Sequence, residues 1–125
     1  MFASRVRVPL TTAADGSATV VTPPVTGRIA QIVYTKPAAG GFDNGSTITV
    51  TNNVTGETIW TESSVNASAV RAPRQPTHST AGVAALYAGS GTAVNDLIAV
   101  GGDELKIVIA SGGNAKNATF DFVLA

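Results

Sequence analysis

The chain contains no cysteine, and of the chemically versatile residues it has a single histidine and a single tryptophan. Without cysteine, neither a disulfide framework nor a thiolate metal site can be built. Charge is scarce as well: Asp, Glu, Lys and Arg make up 13% of the residues, about half the ordinary share. The eight bases balance the eight acids. Nucleic acid is therefore not the expected partner, because phosphate binding needs a concentrated basic face. No stretch approaches the 18 or so apolar residues of a membrane span. The opening MFASRVRVPL lacks the apolar run of about 7–15 residues that an export signal needs, so synthesis in a cytoplasm is expected, with retention there or release by lysis.

What is present is strand patterning. The apolar share is 44%, ordinary for a globular chain, with Thr, Ser and Asn supplying the polarity. At 125 residues the expectation is one domain, 1–125, with one core. Val6, Val8 and Leu10 alternate with Arg5 and Arg7. Asp15-Gly16 then reads as a hairpin turn, with a return through Ala18 to Val21 that stops at Pro23-Pro24. Gly27 to Tyr34 is apolar on both faces, as in a strand central to a sandwich or packed on another subunit. Thr47 to Thr51 and Glu57 to Glu62 form the clearest hairpin, and Ala67 to Ala72 has extended character. Near the C-terminus Leu97–Val100, Leu105–Ile109 and Ala118–Leu124 read as strands, separated by turns at Gly101-Gly102-Asp103 and Gly112-Gly113-Asn114.

Eight or nine short strands with turn signals every 8–12 residues predict an all-β, antiparallel β-sandwich or jelly-roll-like barrel. The expected core is Val6, Val8, Leu10, Ile32, Ile48, Val50, Ile59, Leu105, Ile107, Ile109, Phe120 and Phe122. Each fully buried large side chain contributes about 1.5–3 kcal/mol before entropy is subtracted.

The segment Pro73 to Val94 (PRQPTHSTAGVAALYAGSGTAV) departs from this pattern. Loops longer than about 12–15 residues usually bind something or are disordered. This one carries Val83, Leu86 and Tyr87 at its centre and is too apolar for a solvated linker. It predicts an interaction loop, with one or two helical turns around Gly82 to Ala88 at most. Arg71, Arg74 and His78 mark its entrance; they would pair with carboxylates of a partner or simply be solvated. Trp60 is either a second core residue opposite Ile59 or an interface anchor, with burial favoured.

Reactive constellations are lacking. His78 is flanked by Thr77 and Ser79, with no G-x-S-x-G elbow and no visible third group to orient a base. Asp43-Asn44-Gly45 has the look of a calcium loop without its spaced acids and closing Glu. No catalytic residue, cofactor or metal is expected. The glycine pairs Gly40-Gly41, Gly101-Gly102 and Gly112-Gly113 never open a helix, so they read as turns. Asn53-Val54-Thr55, Asn66-Ala67-Ser68 and Asn117-Ala118-Thr119 match the glycosylation pattern as products of a Thr/Ser-rich composition.

Two segments, RVRVPLTTAADGSATVVTPPVTGRIAQIVY and APRQPTHSTAGVAALYAGSGTAVNDLIAVGGDELKIVIASGGNAKNATF, resemble small tailed-bacteriophage virion proteins found with head genes. The resemblance runs from about Arg5 to Phe120, and its second segment is the more distinctive. It implies a head decoration (cement) protein that binds the major capsid protein and itself, as a dimer or trimer, on the capsid surface of the virion after synthesis in the host cytoplasm. Such a role carries no catalytic residues. A neck, tail-completion or tail-tube component is the alternative within virions. A carbohydrate-binding or adhesion module on a tail spike, with Trp60, Tyr34 and Tyr87 stacking on sugars, is the alternative from another functional class.

Overall fold

A computed structural model describes residues 3–65 and 67–125. Ten strands follow one another: β1 Ser4–Thr11, β2 Ala18–Val21, β3 Val25–Thr35, β4 Thr47–Asn52, β5 Thr58–Ser63, β6 Ala69–Arg71, β7 Arg74–Pro76, β8 Asn95–Asp103, β9 Leu105–Ala110 and β10 Asn117–Leu124. All pairing is antiparallel, and the described residues contain no helix. One sheet runs β1-β10-β3-β8-β7, with β6 also on β3; the other runs β2-β9-β4-β5. The fold is an antiparallel β-sandwich. β6 falls within the expected extended stretch Ala67 to Ala72; the strand number exceeds the expected eight or nine because of β7, three residues too short to show a pattern.

Strand pairing corrects the Asp15-Gly16 hairpin. The turn exists, but β1 pairs with β10 while β2 pairs with β9 in the opposite sheet. Asp15 holds the corner by accepting from the Ser17 N–H and hydroxyl. Gly16, at φ +85°, lies so close to the next loop that an added Cβ would sit 2.8 Å from the Gly113 nitrogen. The Gly112 N–H donates to the Gly16 carbonyl across that approach. Two glycine loops are thus zipped together, and the corner passes from one sheet to the other. Gly101-Gly102-Asp103 is corrected too. These residues belong to β8, where Gly102 is the extra residue of a bulge opposite β3, and the turn is confined to Glu104.

Two further bulges explain strands that are apolar on both faces. In β3, Leu124 pairs with Ile29 and Val123 with Gln31, leaving Ala30 unopposed. The extra residue shifts the parity, so Ile29 and Ile32 both face the core and both are fully buried. In β5, Val50 pairs with Trp60 and Thr51 with Thr58, leaving Ile59 as the extra residue. Ile59 and Trp60 are consequently both buried.

Of the expected core, all but Val6 are buried; Val6, near the end of β1, is only partly so. The core also takes in Val25, Ile29, Tyr34, Phe42, Trp60, Val65, Ile98, Val100, Ala118 and Leu124. Tyr34 stacks between Phe42 and Phe120 at 5.9 and 5.3 Å, and Trp60 meets Phe120 edge-on at 6.5 Å. Four buried aromatics therefore form one cluster centred on β10 and β3.

Candidate interaction surface

The Pro73–Val94 segment is neither a structureless loop nor a helical one. Beyond the Ala30 bulge β3 gives up its pairing with β8, and β7 takes over against Asn95, Asp96 and Leu97. The chain beyond Pro76 then forms two small lobes joined at one point. The Thr77 N–H donates to the Val94 carbonyl (2.8 Å), the Val94 N–H to the Ala85 carbonyl (2.9 Å), and the Ala85 N–H to the Thr77 carbonyl (3.0 Å). These three bonds close a ring, reinforced by the Thr77 hydroxyl on the Val94 carbonyl at 2.9 Å. The first lobe, 78–84, is closed by a bridge between His78 and Ala84. The second, 86–93, is closed by a bridge between Leu86 and Ala93. Helical turns around 82–88 are excluded by these bridges and by Gly82 at φ +77°.

Sequence chemistry accounts for the lobes. Ser79 accepts through its side chain from the N–H groups of Ala81 and Val83, an ST-type turn that places Gly82 at positive φ. In the second lobe the Gly91 N–H donates to the Ala88 carbonyl, in a Gly-Ser-Gly stretch that accepts a tight reversal. We refer to residues 77–94 as the arm.

The arm presents apolar side chains to solvent. Val83, Leu86 and Tyr87 are 64%, 41% and 76% exposed, half of the six exposed large hydrophobic residues among those described. No residue between Val70 and Leu97 belongs to the core. From Gln75 to Asn95 there is no Asp, Glu, Lys or Arg. His78 is exposed on the first lobe. Val83, Leu86, Tyr87 and His78 thus lie exposed on one segment that holds no Asp, Glu, Lys or Arg.

The remaining predicted residues are placed elsewhere. Trp60 is 8% exposed and belongs to the core. Arg71 is not available to a partner's carboxylate, because it grips Glu62 bidentately, Nε to Oε1 and Nη2 to Oε2, each at 2.8 Å. This pair joins β6 of one sheet to β5 of the other, and the Trp60 indole N–H also donates to Glu62 at 3.1 Å. Arg71, followed by Trp60, holds the Glu62 carboxyl down at about 2. Arg74 donates to the carbonyl of Ala30, the bulge residue, at 3.1 Å, and so satisfies a group that strand divergence leaves open. Sequence reading missed both roles, since nothing local links positions 71 and 62 or 74 and 30.

A second charge cluster escaped sequence reading entirely. On the outer face of the larger sheet, Asp121 accepts from Arg5 Nη1 at 2.9 Å and from Arg7 Nε at 3.0 Å. Asp121 is buried beneath those two arginines. Hydrogen bonding from Arg7 lowers its carboxyl below the usual carboxylate range, with Arg5 adding to the effect.

No grouping of three or more His, Asp or Glu suited to a metal occurs among the described residues. Asp43 instead lies 3.8 Å from Lys116. A shallow pocket of about 190 Å³ is lined by Pro9, Leu10, Thr11, Thr35, Pro37, Asn117, Ala118 and Thr119, none of them titratable. It is below the ~300 Å³ at which small-molecule sites begin. Of the three sequon-like triplets, Asn66 lies outside the described residues.

Neither any family model nor any curated protein matches the chain. Among solved structures, the one titled "Crystal Structure of FLHE" aligns with 98% of this chain and 96% of that one, at 11% identity and a TM-score of 0.45. A likeness at that level carries no argument about this chain.

Proposed function

We propose that the protein is a structural component of a tailed-bacteriophage virion, a head decoration (cement) protein that binds the major capsid protein on the shell surface. The observation that carries this reading is the arm: Val83, Leu86 and Tyr87 are held in water on a hydrogen-bonded, charge-free projection that the core does not need. Exposed apolar groups on a preorganised support favour association, because little conformational entropy remains to be lost on docking. The sequence resemblance to phage head-associated proteins supports the same assignment. Each contact can be modest, since a lattice of many copies multiplies it.

The carbohydrate-binding alternative loses ground. Trp60 and Tyr34 are in the core, which leaves Tyr87 as the one described Trp or Tyr side chain exposed for stacking on a sugar.

The test is the double substitution Leu86→Ser and Tyr87→Ser. Binding to purified particles should weaken at least about tenfold, while the free protein unfolds at the same denaturant concentration as the parent. Undiminished particle binding would remove the arm from the account. Copy number per particle separates a shell position, with hundreds of copies, from a neck or tail position with a handful.

A further inference from the structure

The free edges of the two sheets are not equivalent. An unpaired edge offers a row of N–H and C=O groups to any strand that fits, and natural sheets blunt such edges with proline, charge, bulges or brevity. β1 carries Pro9 within its length. β2 has four residues and runs into Pro23-Pro24. β6 and β7 have three residues each, and β7 is bracketed by Pro73 and Pro76. In β8 the N–H groups of Leu97 and Gly101 are taken by the carboxylates of Asp96 and Asp103, at 2.7 and 3.2 Å.

Along its second half β5 has no proline and no bulge, and its one charge, Glu62, is engaged by Arg71 of the same chain. It pairs only with β4, and its bulge at Ile59 disturbs only the first half. The Ser64 N–H donates inward to Ser46, so strand alternation turns the backbone of Ser63 and Thr61 outward. Both of these residues are exposed, whereas Glu62 is engaged with Arg71. The Thr61 and Ser63 hydroxyls lie on the sheet's outer surface against Thr49 and Thr47, at 3.2 and 3.1 Å.

We propose that β5 pairs with β5 of a second copy, antiparallel and two-fold symmetric about Thr61, to give a continuous eight-stranded sheet across a dimer. The occupant is a second copy because the register is self-complementary in charge. Thr61 faces Thr61, and Trp60 faces Glu62 of the partner subunit, so the strand's one charged residue never opposes its like. The neutral threonine face then continues across the seam. A seam between two six-residue strands is small beside the ~800 Å² per partner of an ordinary stable interface. The dimer therefore dissociates on dilution and is reinforced where copies are held close together.

The experiment is sedimentation velocity over a concentration series with amide hydrogen exchange on the same samples. A monomer–dimer equilibrium is expected, with the Thr61 and Ser63 amides gaining protection as concentration rises. Thr61→Lys, which sets two ammonium groups together at the two-fold axis, should raise the dissociation constant at least about tenfold. Thr61→Pro, which deletes the outward N–H, should abolish dimer with unchanged far-ultraviolet circular dichroism; if that variant misfolds, Thr61→Lys alone decides. A monomer at every concentration overturns the proposal, as does a dimer unmoved by Thr61→Lys or protection confined to another strand. Leu86→Ser with Tyr87→Ser should leave the dimer intact, so failure of the seam and failure of the arm as a docking element are read separately.

Discussion

The sandwich body and the arm solve opposite problems with the same backbone chemistry. In the body, every strand but β5 and β7 bonds to a strand distant in sequence. Its stability rests on side chains that meet only when both sheets have formed. In the arm, ring closure joins Thr77, Ala85 and Val94, and the large side chains point to water. The body buries its apolar residues between the sheets; the arm leaves Val83, Leu86 and Tyr87 exposed. A projection stabilised by local hydrogen bonds can vary in its side chains without disturbing the core.

That contrast can be broken in graded ways. Phe120→Ala, at the centre of the aromatic cluster, should cost about 3–5 kcal/mol in denaturant unfolding. A loss below 1 kcal/mol would mean that the core does not carry the body. Asp121→Ala should cost about 1–3 kcal/mol, because a buried carboxylate accepting from two arginines is removed. Glu62→Gln should cost about 1 kcal/mol or less, since the Arg71 pair is well exposed to solvent and screened.

Acid sharpens the same point. Glu62 is lowered from 4.5 to about 2, so its stabilisation is complete above about pH 4.5 and disappears as the pH falls toward 2. Asp121 is also lowered, and its contribution is lost in the same direction. The melting temperature should fall through that window, and Glu62→Gln should flatten part of the fall. A variant whose profile matched the parent's would show that the clamp between the sheets is idle.

The smallest effect on stability belongs to the arm. Leu86→Ser with Tyr87→Ser should stay within about 0.5 kcal/mol of the parent, as surface substitutions do. The amides of Thr77, Ala85 and Val94 should nevertheless exchange more slowly than the other arm amides. Exchange at unprotected rates throughout 77–94 would erase the distinction between a built arm and a mobile loop.

Much of the body was legible because alternation reports which face is buried. Ile48 and Val50 against Thr47, Thr49 and Thr51, or Ile107 and Ile109 against Lys106, leave one register open. The arm's composition likewise marked an exceptional segment, and Val83, Leu86 and Tyr87 are exposed there. Arg71 and Arg74 resisted such reading, whereas Trp60 is buried as its place opposite Ile59 favoured. The bulges at Ala30 and Ile59 shift parity without a sequence mark, and the partners Glu62 and Ala30 come from other strands.

Taken alone, the residue pattern determined an all-β chain, most of its core and the place where that pattern lapses, since side-chain periodicity and turn chemistry are local properties. Tertiary structure alone decided that β1 and β2 part into different sheets and that Arg71 closes the sandwich. Those outcomes depend on backbone and charged groups far apart in the chain finding partners, and no local preference encodes such a meeting.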